Sequence, residues 1–176
     1  MEQCAEQRNR ISIQPQTLAD YDALCRGLVQ DPLLFVDPDA FRPYRYDPTA
    51  VAETFEKNRK RIDRRYFTVF LDDMPIGELV LKCIDFEQKS CEFGICLQSD
   101  AVKNRGYGTA AERLALRYAF ETLGMETVYA DALIRNRRSC HVLEKIGMNK
   151  IGVRGDFNLY RIDRAAFITR QGGQSR

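Results

Sequence analysis

Lys103-Asn104-Arg105-Gly106-Tyr107-Gly108-Thr109, KNRGYGT, is the segment on which the reading of this 176-residue chain turns. It lies between a strand pattern that ends at Leu97 and a helical pattern that runs on to Leu123. The first amides of a helix have no partner inside it, and the aligned peptide dipoles leave partial positive charge there, so such a start attracts anions. Gly106 and Gly108 lack a Cβ, which allows positive φ and lets a phosphate approach several amides. Lys103 and Arg105 add local charge. The G-K-[ST] ending of a nucleotide P-loop is missing. A dinucleotide fingerprint fits better by letter, since Gly106, Gly108 and Ala111 spell G-x-G-x-x-A and Asp131 follows about 20 residues on. That fingerprint, however, needs its first glycine directly after a strand that opens a parallel unit, and here the preceding strands read as antiparallel. A phosphate cradle, a bare tight turn and a dinucleotide site all stand at this point.

Upstream, a strand pattern near residues 10–14 leads to Thr17, a helix cap, and then Leu18, Tyr21, Leu24, Cys25 and Leu28 at helical spacing. In residues 30–49, Pro32, Pro38, Pro43 and Pro48 forbid a long helix. They alternate with Asp31, Asp37, Asp39 and Asp47 and with Phe35, Phe41, Tyr44 and Tyr46. A helix opened by Pro48 reaches about Arg61. Three antiparallel strands follow, at residues 66–71, 76–82 and 91–97. The last puts Cys91, Phe93, Ile95 and Leu97 on one face and Glu92, Gly94 and Cys96 on the other, and Gly94 marks a bulge, a close approach or a small packing residue. Downstream, a helix over residues 108–123 stops at Gly124 and a strand spans residues 127–133. A helix over residues 137–146 stops at Gly147, and strands at residues 150–153 and 157–162 close the chain. The expected class is α/β (α+β), one domain over residues 10–170, with a mixed, mostly antiparallel sheet of about seven strands and about four helices. Residues 1–9 are expected to be disordered and residues 171–176 to form a flexible tail.

Composition bounds the function. Apolar residues are 44% and charged residues 30%, with 11 Gly, 6 Pro and no Trp, as in ordinary globular domains. No apolar run approaches the roughly 20 residues that span a bilayer, and the first residues are polar, so a cytoplasmic protein without a membrane partner is expected. A net charge of +2 gives no reason to expect nucleic acid and requires any anion site to be local. Cys4, Cys25, Cys83, Cys91, Cys96 and Cys140 form no C-x-x-C pair and read as reduced thiols. His141 is the only histidine, so neither a metal site nor a histidine triad is expected.

The element order, KNRGYGT and the later NRRSCHVLEKIGM at residues 136–148 together resemble the GNAT superfamily of acetyl-CoA-dependent N-acetyltransferases. The resemblance covers nearly the whole chain. Its first motif, [QR]-x-x-G-x-[GA], matches Lys103, Gly106 and Gly108, with Lys for Arg or Gln. Its second, N-x-x-S with an E-K-x-G-[FM] ending, matches Asn136, Ser139, Glu144, Lys145, Gly147 and Met148, and looks most like the ribosomal-protein-alanine N-acetyltransferase branch. The two motifs lie about 30 residues apart on the expected elements, and together are far more specific than either alone.

The resemblance implies a single-domain GNAT-like fold that uses acetyl-CoA as co-substrate, without a metal. It implies a cofactor site drawn from Leu97, Lys103, Asn104, Arg105, Gly106, Tyr107, Gly108, Thr109, Asn136 and Lys145, with a splayed strand pair beside the pantetheine arm that Gly94 would suit. Direct transfer needs a neutral amine, so a carboxylate base is expected: Glu92, with Glu78 in reserve. The family's tyrosine acid is replaced by Leu143, leaving Ser139, with Asn136, either in the catalytic set or as helix caps. Cys140 and His141 are neighbours on a helix, point apart and make no nucleophile pair. The acceptor borders residues 30–49 and is a peptide N-terminus, aminoglycoside, polyamine or other small amine; a homodimer is compatible with the chain. Two rivals remain, a catalytically silent acyl-CoA-binding module and a dinucleotide-binding oxidoreductase.

Overall fold

The structure, a computed structural model, describes residues 10–35 and 37–172. Strand β1 (Ile11–Pro15) is followed by α1 (Leu18–Arg26), which starts in a capping box: the Thr17 hydroxyl accepts from Asp20 N–H while the Asp20 carboxylate accepts from Thr17 N–H. The proline-rich stretch forms only short 3₁₀ turns at Pro32–Leu34 and Pro38–Ala40. Helix α2 (Pro48–Arg59) has Pro48 at its start and the Asp47 carboxylate accepting from Thr49 and Ala50 N–H. Then come β2 (Arg65–Leu71), β3 (Met74–Asp85) and β4 (Ser90–Leu97), each antiparallel to the last, and a 3₁₀ turn at Asp100–Val102. Helix α3 (Tyr107–Arg117) widens into a π turn at Tyr118–Thr122 rather than continuing as one regular helix. The chain ends with β5 (Thr127–Leu133), α4 (Arg137–Ile146), β6 (Asn149–Arg154), β7 (Phe157–Asp163) and α5 (Arg164–Gly172).

The expected seven-strand sheet is present in the order β1-β2-β3-β4-β5-β7-β6. Every pair is antiparallel except β4–β5. A parallel neighbour needs a crossover of a dozen residues or more, and α3 supplies it, packing Ala111, Ala115 and Leu116 against Leu79, Leu81 and Phe93 in one core.

Among the described residues the expected four helices or so are five. Helix α5 is held by one fully sunk aromatic, Phe167, with its ring 5.0 Å from that of Phe120. A single anchor leaves no apolar stripe to read in sequence. Helix α5 runs through Gly172, so it takes in the first two residues of the expected tail. The expected disorder of residues 1–9 and the rest of the tail lie outside the described residues. Among those residues no helix is long and apolar enough to cross a membrane, and Cys25, Cys83, Cys91, Cys96 and Cys140 are free thiols.

Two details place the site. Gly77 sits where a Cβ would come 2.6 Å from the Cys96 carbonyl oxygen, so β3 and β4 approach closely beside Glu78. Gln98, just after β4, donates from Nε2 to the Ala23 and Leu24 carbonyls at 3.0 and 3.1 Å, satisfying the end of α1 and tying it to the sheet.

Candidate active site

Pairing of β4 with β5 is confined to Ser90–Glu92 against Thr127–Tyr129. Beyond Glu92 the strands part, and the β5-facing edge of β4 has no strand partner among the described residues. Around the end of β4 three cavities of about 250, 370 and 300 Å³ run into one another.

The first cavity lies at the start of α3. Gly106, the N-cap, has φ +83°, Asn104 has φ +60°, and no side chain caps the helix. The first hydrogen bond of the helix runs from Ala110 N–H to the Gly106 carbonyl, so the Gly108 and Thr109 amides have no partner within it. A Cβ built on Gly106 would meet nothing within 4 Å; backbone conformation, not packing, calls for glycine there. Lys103 Nζ lies 2.9 Å from Asp100 Oδ1, and Arg138 reaches the same carboxylate at 3.6 Å. The Lys103 ammonium is the main cause that holds the Asp100 carboxyl below its ordinary range. Of the expected cofactor residues, Leu97, Lys103, Asn104, Gly106, Gly108, Thr109 and Lys145 line this cavity. The Tyr107 side chain instead joins the core, so only its backbone can serve the cradle, and Arg105 is exposed outside the lining.

The second cavity is a groove lined by Ile95, Cys96 and Leu97 of β4, by α3, by the start of α4 and by residues of the segment after α1. Asn136 and Ser139 both line it. Asn136 also caps α4, its Oδ1 accepting from Ser139 N–H at 3.1 Å. Leu143 is 2% exposed and belongs to the core. Glu112, on α3, is 2% exposed and lines the groove, and its Oε2 has no hydrogen-bond partner among the described residues. Burial pushes its carboxyl up to about 8.

The third cavity lies between α1, α2 and the β3–β4 pair and meets the groove at Leu28, Gln30 and Cys96. Its lining is mainly apolar, with Leu24, Leu28 and Val51, and its charged residues are Arg45, Asp47 and Glu78. Glu78 stands opposite Cys96 in the strand register. Burial raises its pKa above the usual carboxylate range, against the lowering effect of Gln16 Nε2, which donates to it at 2.8 Å. Glu92 is elsewhere. It pairs with Lys82 across the sheet, 2.5 Å from Nζ, and lies four residues back from Cys96 along β4, roughly 13 Å at strand spacing. None of the three cavities touches it.

Sequence reading missed Arg138, His141 and Val142, which share one face of α4 with Lys145 in the cradle lining; their i, i+3, i+4, i+7 spacing was the available signal. Glu112 carried a subtler one, a charge on the strip of α3 otherwise occupied by Ala115, Leu116 and Ala119. The dinucleotide reading loses its geometry: a 3₁₀ turn separates Leu97 from Gly106, and Asp131 sits 4.0 Å from Arg154 on β6.

The mixed sheet, its central opening and a glycine-started helix define the class, an α/β fold of the acetyltransferase type. The chain belongs to the GNAT acetyltransferase family, whose acetyltransferase (GNAT) domain profile matches residues 10–149. It is 30% identical over 82 residues to the acetyltransferase PseH of Campylobacter jejuni, a match spanning 47% of this chain and 49% of PseH. Its fold is shared with a spermidine N-acetyltransferase chimera of Vibrio cholerae SpeG and hSSAT (TM-score 0.76, 18% identity, 91% of this chain and 99% of that one). It is likewise shared with Vibrio cholerae spermidine N-acetyltransferase in complex with CoA and spermine (TM-score 0.68, 17% identity, 90% and 98%).

The residues present fit acetyl-CoA: a start of α3 without a side-chain cap, cations around it and an open strand edge leading inward. Gly106→Val puts a β-branched side chain at φ +83°, a strained conformation, and two methyl groups in the approach to the cradle. Its affinity for CoA by titration calorimetry should fall about tenfold or more; an unchanged affinity would count against the cradle.

Proposed function

We propose that this chain transfers the acetyl group of acetyl-CoA directly to a primary amine. The observation that carries the reading is the junction at Cys96, where a groove opening from the phosphate-type cradle meets a separate pocket that holds a half-buried carboxylate, Glu78. In this reading the main chain of residues 105–109, with Lys103, Asn104 and Lys145, holds the diphosphate, and the open edge of β4 takes the arm and polarises the thioester carbonyl. Acetyl-CoA supplies the activated acyl group.

A lysine-like amine has a pKa of about 10.4 and an α-amine about 7.7 to 8.0, so the acceptor must lose a proton before it attacks. Glu78, held in reserve by sequence, takes the role of base in place of Glu92. Its raised pKa makes it a stronger base than an exposed carboxylate, and it borders the acceptor pocket, while Glu92 is held by Lys82. With Leu143 where the family has tyrosine, Ser139 in the groove is the hydroxyl available to the departing sulfur.

The acceptor pocket favours a compact monoamine with an apolar body. Spermine is bound by the Vibrio cholerae enzyme, but a polyamine's several positive charges would meet here two carboxylates, one of them capping α2, together with the Arg45 cation. Thiol release over aryl and alkyl monoamines, amino sugars, peptides with free N-termini and spermidine tests this. The peptides test the resemblance to the ribosomal-protein-alanine branch. An apolar monoamine should exceed spermidine in kcat/KM by about tenfold or more; spermidine as best substrate would overturn the assignment. Leu143 favours one second reading, an acyl-CoA-binding module without turnover, which predicts CoA binding and no thiol release from any amine in the panel.

A further inference from the structure

Among the described residues Glu112 is the one buried carboxylate, and the proposed chemistry leaves it without a task. Its side chain lies on the strip of α3 that otherwise carries Ala115, Leu116 and Ala119, all sealed into the core. A glutamate at such a position costs stability unless something partners it, since an unmade hydrogen bond on a buried polar atom is among the more expensive defects a fold can carry. Glu112 Oε2 has no such partner among the described residues. The residue is not sealed on all sides, however: it borders the 370 Å³ groove together with Gly108, Ile95 and Ser139. It borders neither the acceptor pocket nor the cradle cavity.

We propose that Glu112 is a contact for the acyl-CoA arm, meeting from the α3 side of the groove a ligand whose other side runs along the open edge of β4. This rests on the acetyl-CoA reading above and adds a residue and a direction to it. The placement selects the part of the ligand. The diphosphate is at the start of α3, one helical turn before Glu112, where an extra carboxylate would repel it; the arm beyond carries amide groups and no charge. A buried carboxyl that keeps its proton, as burial at this position favours, can donate to an amide carbonyl and accept from an amide N–H, so it suits a neutral amide and not a phosphate. The charged groups bordering the same groove are Asp31, Lys103 and Arg138, and Cys96 is the other titratable one.

Two ligands separate an arm contact from general damage: CoA, and adenosine 3′,5′-bisphosphate, which has the nucleotide and no arm. Affinities are measured by titration calorimetry for the wild type, Glu112→Ala and Glu112→Gln. Alanine adds no bulk to the groove, so a loss cannot come from obstruction. The expected result is a CoA affinity about tenfold weaker in Glu112→Ala, an unchanged affinity for the bisphosphate, and recovery to within about threefold of wild type in Glu112→Gln, whose amide can still donate and accept. CoA affinity within twofold of wild type in Glu112→Ala would overturn the contact. So would an equal loss for both ligands, which would make Glu112 a structural residue. Failure of the wild type to bind either ligand would overturn the cofactor reading and this contact with it.

Discussion

Glu78→Gln is expected to lower turnover on the best amine by about 10²–10⁴-fold while leaving CoA affinity within twofold, the range that loss of a positioned general base produces. Glutamine keeps the shape and the contact with Gln16 but cannot accept the ammonium proton. The pH dependence is a second readout. The base must be ionised, so kcat/KM of the wild type should rise with pH through the titration of Glu78, displaced upward from the ordinary carboxylate range by burial. The glutamine variant should lose that limb and follow only the acceptor's own ionisation. Glu92→Gln, on the residue held by Lys82 outside the pocket, should change turnover by less than about threefold, because an ion pair of this exposure contributes little. A large loss in Glu92→Gln with Glu78→Gln near wild type would reverse the assignment.

The second large effect is on stability without ligand. Glu112 titrates near 8 in the folded chain against an ordinary value of 4.5, raised by burial. Between those two values the unfolded chain has released this proton and the folded chain still holds it. The folded state therefore binds more protons there, and stability falls as pH rises from about 5 to about 8, levelling off above. Glu112→Gln carries no proton to lose. It should unfold with a flatter pH profile and, at pH 9, exceed the wild type by an amount that grows from near zero at pH 5 toward an upper limit of roughly 4 kcal/mol. Urea unfolding of both proteins at pH 5, 7 and 9 reads this directly. Glu78 is displaced in the same direction but is common to both proteins, so the difference isolates Glu112. Parallel profiles would show that the Glu112 carboxyl reaches water.

Legibility followed the range of the interactions. Thr17, Pro48, Gly106, Gly124 and Gly147 punctuate elements through contacts a few residues long, and the helices and strands they bound came out close to where they were expected. The glycine-started turn before α3 was legible for the same reason: its parts are the consecutive amides of one turn and two side chains beside it. The pocket proposed for the acceptor was not. It joins Tyr21 and Cys25 of α1, Val51 of α2 and Glu78 of β3, and nothing local marks Glu78 over Glu92. Both are single carboxylates in alternating strands. Strand pairing alone sets one beside Cys96 at the mouth of the groove and the other opposite Lys82. Helix α5 escaped because its one anchor, Phe167, acquires meaning only when Phe120 is brought against it.

Taken alone, the amino-acid order determined the element types, the mixed sheet and the glycine-started turn, since capping, proline geometry and side-chain periodicity act within a few residues of themselves. Only the tertiary structure decided what surrounds each carboxylate. Burial and pairing depend on partners up to 62 residues away, as with Gln16 and Glu78, and a carboxyl's chemistry follows its surroundings more than its position in the chain.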